Sequence, residues 1–230
     1  MRHRQRVALV TGGAGFIGSH IVDNLLEEGT QVRVIDNLMG GRLANLEHHK
    51  NNPLLSFSEL DITTIDIDNS IFKGVDWLFH MAGIGDIVPS IDHPLDYFQV
   101  NTFGTARIAE AARSATVEKI VYAASSSCYG IASVPTDESA KIDLQYPYAL
   151  TKYLGEQTLF HWYQVYGLPV NSIRIFNAYG PRSRTSGAYG AVFGVFLRQL
   201  LAGEPLTVVG DGSQSRDFVY ATDVARAFVA

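Results

Sequence analysis

Along this chain, short continuous apolar runs alternate with longer stretches in which apolar residues return every three or four positions. Val7–Val10, Gln31–Ile35, Leu54–Phe57, Val75–His80, Lys119–Ala124 and Val170–Ile175 are the short runs, each the length of a strand buried on both faces. Phe16, Ile17, Ile21, Val22, Leu25 and Leu26 recur at helical spacing, so a helix begins near Gly15. Asp92–Ser114, Tyr148–Tyr166 and Ala188–Leu201 read as further helices, Leu206–Val209 as a short strand, and 37–52 as a polar loop. This alternation predicts an α/β fold with a doubly wound parallel sheet and ligands at the carboxyl ends of its strands.

The chemically unusual residues fall just after those strand ends: Gly12–Gly18, Asp36, Asp61, His80–Gly83, Ser125–Ser127 and Phe176–Asn177. Random surface polarity would not collect there, so the pattern points to one cleft along the sheet edge. Thr11-Gly12-Gly13-Ala14-Gly15 is a turn with almost no side chains between a strand and a helix. It lets backbone N–H groups and a helix N-terminus reach a pyrophosphate. Gly13, Gly15 and Gly18 fit G-x-G-x-x-G, and Gly12, Gly15 and Gly18 fit a wider G-x-x-G-x-x-G. Either pattern alone is weak, but the second strand ends in Asp36, the acid a dinucleotide site requires. A carboxylate there accepts from a ribose 2′-OH and repels a 2′-phosphate, which favours NAD over NADP. Arg33 and Arg42 are the nearby cations that argue the other way. No Gly-Lys-Ser/Thr follows, so the turn is not a P-loop.

Tyr148 is the one tyrosine among Tyr146, Tyr148 and Tyr153 with a lysine four residues later, Lys152. Residues i and i+4 share a helix face, and Pro147 suits the first helical position. The helix dipole and the ammonium are then expected to favour phenolate, lowering a pKa that starts near ~10. A tyrosine so tuned takes a proton from an alcohol as hydride leaves the same carbon. Ser125 and Ser127 are the supporting hydroxyls: on an extended backbone, residues two apart face the same side.

Composition narrows the picture. A net charge of −5 gives no support for a nucleic-acid surface, and 47% hydrophobic residues in 230 suffice for one large core. One cysteine, Cys128, rules out an internal disulfide and fits a reducing cytosol. The basic start, 1–6, precedes too short an apolar run for a signal peptide or a membrane span. His48 and His49 are adjacent, while His80, His93 and His161 lack close partners at ligand spacing. All are expected to be surface or supporting histidines, with no metal bound.

Taken together, the motif TGGAGFIG (11–18), Asp36-Asn37, Asp61-Ile62, SSSCYG (125–130), Tyr148-x-x-x-Lys152, RIFNAYGPR (174–182) and RDFVY (216–220) resemble an extended short-chain dehydrogenase/reductase. Within that superfamily the chain resembles the NAD-dependent nucleotide-sugar epimerases and dehydratases, nearest the UDP-hexose 4-epimerases. The resemblance runs essentially end to end. It implies a Rossmann-like NAD-binding domain over 1–175 and the start of a substrate-binding lobe over 176–230, which looks cut short at Ala230. It assigns Gly12, Gly15, Phe16, Ile17 and Gly18 to the pyrophosphate, Asp36 with Asn37 to the adenosine ribose, and Asp61 with Ile62 to the adenine. Met81, Ala82, Gly83 and Phe176 line the cofactor cleft, Asn101 supports the nearby helix, and Lys152 also holds the nicotinamide ribose. Asn177 and Arg216 contact the UDP-sugar diphosphate, with Ser125 and Tyr148 at the sugar.

The implied reaction is C4 epimerisation through a 4-keto sugar, in a cytoplasmic homodimer paired through a four-helix bundle. Phe98, Ile108, Leu159, Phe160 and Trp162 are the apolar residues expected to supply that surface. A 4,6-dehydratase or a uronate-modifying enzyme of the family is the alternative. Related dehydratases, however, carry an Asp-Glu pair where Ser126 and Ser127 stand. A non-catalytic nucleotide-binding protein is a further alternative, against which the complete Tyr148, Lys152 and serine set argues. Asp86 departs from the family pattern by placing a charge beside an anionic ligand.

Overall fold

The computed structural model describes residues 4–183, 192–208 and 210–230. Among them, six parallel strands form one sheet in the order β3-β2-β1-β4-β5-β6. These are β1 (Val7–Thr11), β2 (Gln31–Asp36), β3 (Leu55–Glu59), β4 (Trp77–His80), β5 (Lys119–Ser125) and β6 (Val170–Ile175). The chain order reverses beside β1, whose neighbours are β2 and β4, so the crevice a doubly wound sheet offers a ligand opens at the end of β1.

The apolar runs follow from burial on both faces. Val10, Val34, Val121 and Ala123 share one core with α1 (Phe16–Glu27), while Leu9, Ile35, Ile120 and Tyr122 share the other with α4 (Thr105–Ser114) and α5 (Pro147–Tyr166). Ile108 and Leu159 are fully buried in that second core, so they are not part of a pairing surface; Phe98 and Phe103 remain substantially exposed.

The helix expected over Asp92–Ser114 comprises only the last residue of α2 (Ile87–Asp92), then α3 (Pro94–Tyr97), a π-helical stretch (Phe98–Gly104) and α4, while the rest of α2 occupies the loop expected before it. His93 breaks it with φ −128° and ψ 58°. Pro94 disfavours helical geometry in the residue before it and then starts α3. A 3-10 turn, Leu43–His49, interrupts the polar loop after β2.

Leu206–Val208 are not a strand, and Val209 lies outside the described residues. Two unforeseen three-residue strands instead pair in parallel, β7 (Asn177–Tyr179) with β8 (Phe218–Tyr220). Of the helix expected from Ala188, α6 (Val192–Ala202) is described, and 188–191 lie outside the described residues. The last helix, α7 (Ala221–Val229), returns to the main sheet: Val224, Ala225 and Phe228 join Ile21, Val22 and Leu25 of α1 in one core.

Candidate active site and cofactor cradle

The glycine turn is held by backbone alone. Gly12 N donates to Ile35 O at 2.7 Å, and Gly15 N to Gly12 O at 3.0 Å. Gly12 has φ +66°, and a Cβ there would lie 2.7 Å from Ala82 N. A Cβ on Gly18 would collide with Gly12 O. These two positions, with Gly15 as N-cap, make the wider glycine pattern the one that shapes the turn; Gly13 is buried against Val34. Among the described residues, α1 starts with neither a side-chain cap nor an acidic residue in its first turn. Its free N–H groups and positive dipole end therefore face the cleft. Phe16 and Ile17 are half-buried, Ile17 against the sheet and Phe16 edge-on to His20.

Asp36 is almost fully buried, and burial raises its pKa against the opposing bonds from Leu38 N and Ala14 N. Its oxygens accept from Leu38 N at 2.9 Å and Ala14 N at 3.0 Å, so it braces the glycine turn directly. Asn37 donates to Asp61 Oδ2 at 2.9 Å, tying the ends of β2 and β3 together. Thr63 donates twice to Asp61 Oδ1. Ile62 turns its side chain into the core against Gly104. Arg33 donates to the carbonyls of Ile71 and Lys73.

Beyond β4, Met81 N donates to Thr11 O and Ala82 N to Thr11 Oγ1, both at 3.1 Å. Asn101, on the π-helical stretch, clamps the next residue: its Oδ1 accepts from Ile84 N at 2.9 Å and its Nδ2 donates to Ile84 O at 3.1 Å. The same Nδ2 also donates to Thr151 Oγ1 on α5. Below this clamp lies a buried chain that the sequence pattern does not reveal. Thr105 Oγ1 donates to Asn101 O at 2.7 Å, so it must accept from His80 Nε2 at 3.0 Å. His80 Nδ1 is then the acceptor for Thr11 Oγ1 at 2.7 Å. Burial, with Lys152 nearby, pushes the His80 pKa to about 3, so the ring stays neutral and keeps this direction. His80 is thus the supporting histidine its surroundings predict.

Tyr146 caps α5 and Pro147 opens it, which puts Tyr148 in the first turn. Burial raises the Tyr148 pKa, opposed by a hydrogen bond with Ser125 and reinforced by Tyr146 and Asp86. The expected lowering by the helix dipole and Lys152 is therefore not found, because desolvation outweighs it. Lys152 is itself buried, and burial brings its pKa down to about 7 against the pull of Glu156. Its ammonium sits 4.4 Å from the Tyr122 ring centroid.

Ser125 and Ser127 do meet, with their Oγ atoms 2.8 Å apart. Strand alternation does not bring them together. Ser125 is extended, and a 3-10 turn over Ser126–Tyr129 folds Ser127 back onto it. Cys128 in that turn is buried, and burial pushes its thiol pKa up.

Glu156, another group that spacing alone did not single out, is buried one turn past Lys152. Arg174 grips it with Nη2 at 2.8 Å and Nε at 3.1 Å, and Ser172 donates to it at 2.6 Å. Arg174 Nη1 also donates to Tyr129 OH at 2.7 Å, joining α5, β6 and the serine turn. Phe176 stacks on Tyr129. Asn177 donates to Asp217 O at 3.0 Å, which fastens β7 to β8, and Arg216 is exposed.

The family model described as NAD dependent epimerase/dehydratase family matches residues 8–230. UDP-glucose 4-epimerase of Mycolicibacterium smegmatis is 40% identical over 225 residues, 96% of this chain and 71% of its own length. The solved structure of UDP-N-acetylglucosamine 4-epimerase from Methanobrevibacter ruminantium, in complex with UDP-N-acetylmuramic acid, superposes with a TM-score of 0.94. It is 35% identical and covers 98% of this chain and 72% of its own. UDP-glucose 4-epimerase from Thermotoga maritima with UDP-glucose gives a TM-score of 0.90 at 35% identity, covering 97% of this chain and 72% of that one.

Proposed function

The chain belongs to the NAD dependent epimerase/dehydratase family, and we propose that it inverts C4 of a UDP-hexose or UDP-N-acetylhexosamine. It is an NAD-dependent nucleotide-sugar epimerase. One observation carries the assignment of residues: a single loop, 81–83, touches both halves of the site. A Cβ on Gly12 would strike Ala82, and a Cβ on Gly83 would lie 3.6 Å from Lys152 Nζ. The dinucleotide cradle and the tyrosine–lysine pair are therefore adjoining walls of one cleft.

The residues present fit NAD: Gly12 and Gly18 close the turn tightly on backbone, and α1 begins without a side-chain cap, which leaves its first N–H groups for a pyrophosphate. Gly12, Gly15, Phe16, Ile17 and Gly18 would hold it there, Asp36 and Asn37 at the ribose, and Asp61 and Ile62 at the adenine. Met81, Ala82, Gly83, Asn101, Lys152 and Phe176 would border its remaining length. When bound, NAD supplies the acceptor and then the donor of hydride at the sugar C4.

Tyr148 takes the 4-OH proton and later returns it, with Ser125 and Ser127 bridging the sugar oxygen. Its raised pKa keeps the phenol protonated in the free protein, so substrate and cofactor must shift that balance before it acts as base. Asn177 and Arg216 serve the diphosphate. Residues 1–175 form the cofactor-binding part and 176–230 contribute to the sugar-nucleotide side.

A cytoplasmic homodimer is also proposed, paired through α4, α5 and the π-helical stretch. It is supported by exposed Phe98, Phe103, Tyr163 and Tyr166 on those elements. Among the described residues, no helix is long and apolar enough to cross a membrane.

The test incubates the protein and NAD with UDP-glucose, UDP-galactose, their N-acetyl forms and the uronates, one at a time. The expected result is interconversion of one C4 pair without net reduction of NAD. Loss of water or carbon dioxide instead would replace the epimerase reading. A single-subunit mass at micromolar concentration would remove the dimer.

A further inference from the structure

Away from the cleft, α1 and the 3-10 turn Leu43–His49 meet where Asp23 reaches the adjacent pair His48 and His49, 25 residues further along the chain. Asp23 Oδ1 receives His48 Nε2 at 2.8 Å and His49 Nε2 at 2.9 Å. The three ligand-type atoms lie within 4.8 Å of one another. We propose that Asp23, His48 and His49 bind a divalent transition metal of the zinc class, fastening the 3-10 turn to the helix that opens the cofactor cradle. This is independent of the epimerase reading.

The donor chemistry selects the ion. Two imidazole nitrogens with one carboxylate oxygen suit zinc or cobalt, whereas calcium and magnesium take oxygen ligands. Zinc–nitrogen bonds of about 2.0–2.1 Å set tetrahedral ligand atoms about 3.3 Å apart. The two distances from Asp23 Oδ1, 2.8 and 2.9 Å, lie within about half an ångström of that value. Three protein ligands leave one position for water, and the half-exposed His48 side chain provides the way in.

The cluster is also poorly matched as hydrogen bonds alone. Arg182 Nη2 lies 3.3 Å from His48 Nε2, the same nitrogen that must donate to Asp23. One neutral ring nitrogen cannot both donate to the carboxylate and accept from the guanidinium. An ion on His48 Nε2 takes the ring lone pair, so Arg182 Nη2 must turn away from His48 as the ion enters. Arg182 Nη1 then keeps its own oxygen, Asp23 Oδ2, at 2.8 Å, orienting the ligating carboxylate from the outside.

The experiment uses the chain without an affinity tag, stripped with a chelator and titrated with zinc chloride by calorimetry. One equivalent of zinc is expected to bind, and the melting temperature to rise with it. Cobalt chloride should give the visible bands of a tetrahedral N/O site. His48→Gln with His49→Gln, and separately Asp23→Asn, should each weaken binding by at least about 100-fold and abolish the melting shift. Circular dichroism of both variants checks the fold, and their epimerase activity should survive. Absence of zinc binding by the parent chain overturns the proposal, as does binding that survives the double histidine change.

Discussion

The two walls of the cleft are built from different materials. The cofactor wall is backbone: Gly12 and Gly18 exclude a Cβ, Asp36 accepts from two main-chain amides, and Asn101 grips a main-chain N–H and C=O. The reacting wall is side chain: Tyr148 and Lys152 are titrating groups driven in opposite directions by the same cause, removal from water. A backbone wall tolerates changes of pH and resists changes of volume. A side-chain wall of titrating groups does the reverse. Substitutions should therefore injure the first through sterics and the second through protonation.

The largest expected effect tests the second wall. Tyr148→Phe removes one hydroxyl and leaves the ring, so NAD binding should persist while epimerisation falls by about 10²–10⁴-fold. Steady-state rates beside NAD titration measure both, and a near-normal rate would dissolve the contrast. The matching test of the first wall is Gly18→Ala. Its new Cβ meets Gly12 O inside the turn, so stability should drop by about 1–3 kcal/mol and NAD affinity with it. The tyrosine–lysine environment should be little altered. Urea unfolding with and without NAD reads this, and unchanged affinity would show that the turn has slack.

A third test sharpens the electrostatic half. Lys152 has a folded pKa of about 7 against an ordinary 10.5, so between those values the unfolded chain holds the extra proton. Its contribution to stability rises as pH rises through that window, by at most about 1.4 kcal/mol per unit, and is flat below pH 7. The stability of the parent minus that of Lys152→Met, from urea unfolding at pH 7, 8 and 9, should increase accordingly. A flat difference would mean that the ammonium is better solvated than its burial implies.

The smallest effect is expected for Ser125→Ala. One hydrogen bond to Tyr148 is lost, worth about 0.5–1.5 kcal/mol, while the neighbouring Ser127 hydroxyl remains. The rate should fall about 10-fold, well short of Tyr148→Phe. An equal loss in both would make the serine a partner in proton transfer.

What the sequence by itself determined is everything that local spacing controls. Continuous apolar runs specify strands buried on both faces, and the glycines at 12, 15 and 18 specify a turn without side chains. The acid at the end of the second strand follows from position alone, as does the i to i+4 pairing of Tyr148 with Lys152. Tertiary structure alone decided the rest. The direction of the Tyr148 shift depends on how much water the packed cleft excludes, and no spacing rule reports that. His80 becomes a link between Thr11 and Thr105 only because β1, β4 and α4 converge around it. The β7–β8 pair joins residues 41 apart in sequence, in segments each too short for its own apolar signal. His48 and His49, expected from the sequence as surface or supporting histidines, likewise meet Asp23 only because the turn after β2 brings them to α1. Periodicity is a property of neighbours along the chain, whereas desolvation and pairing belong to neighbours in space.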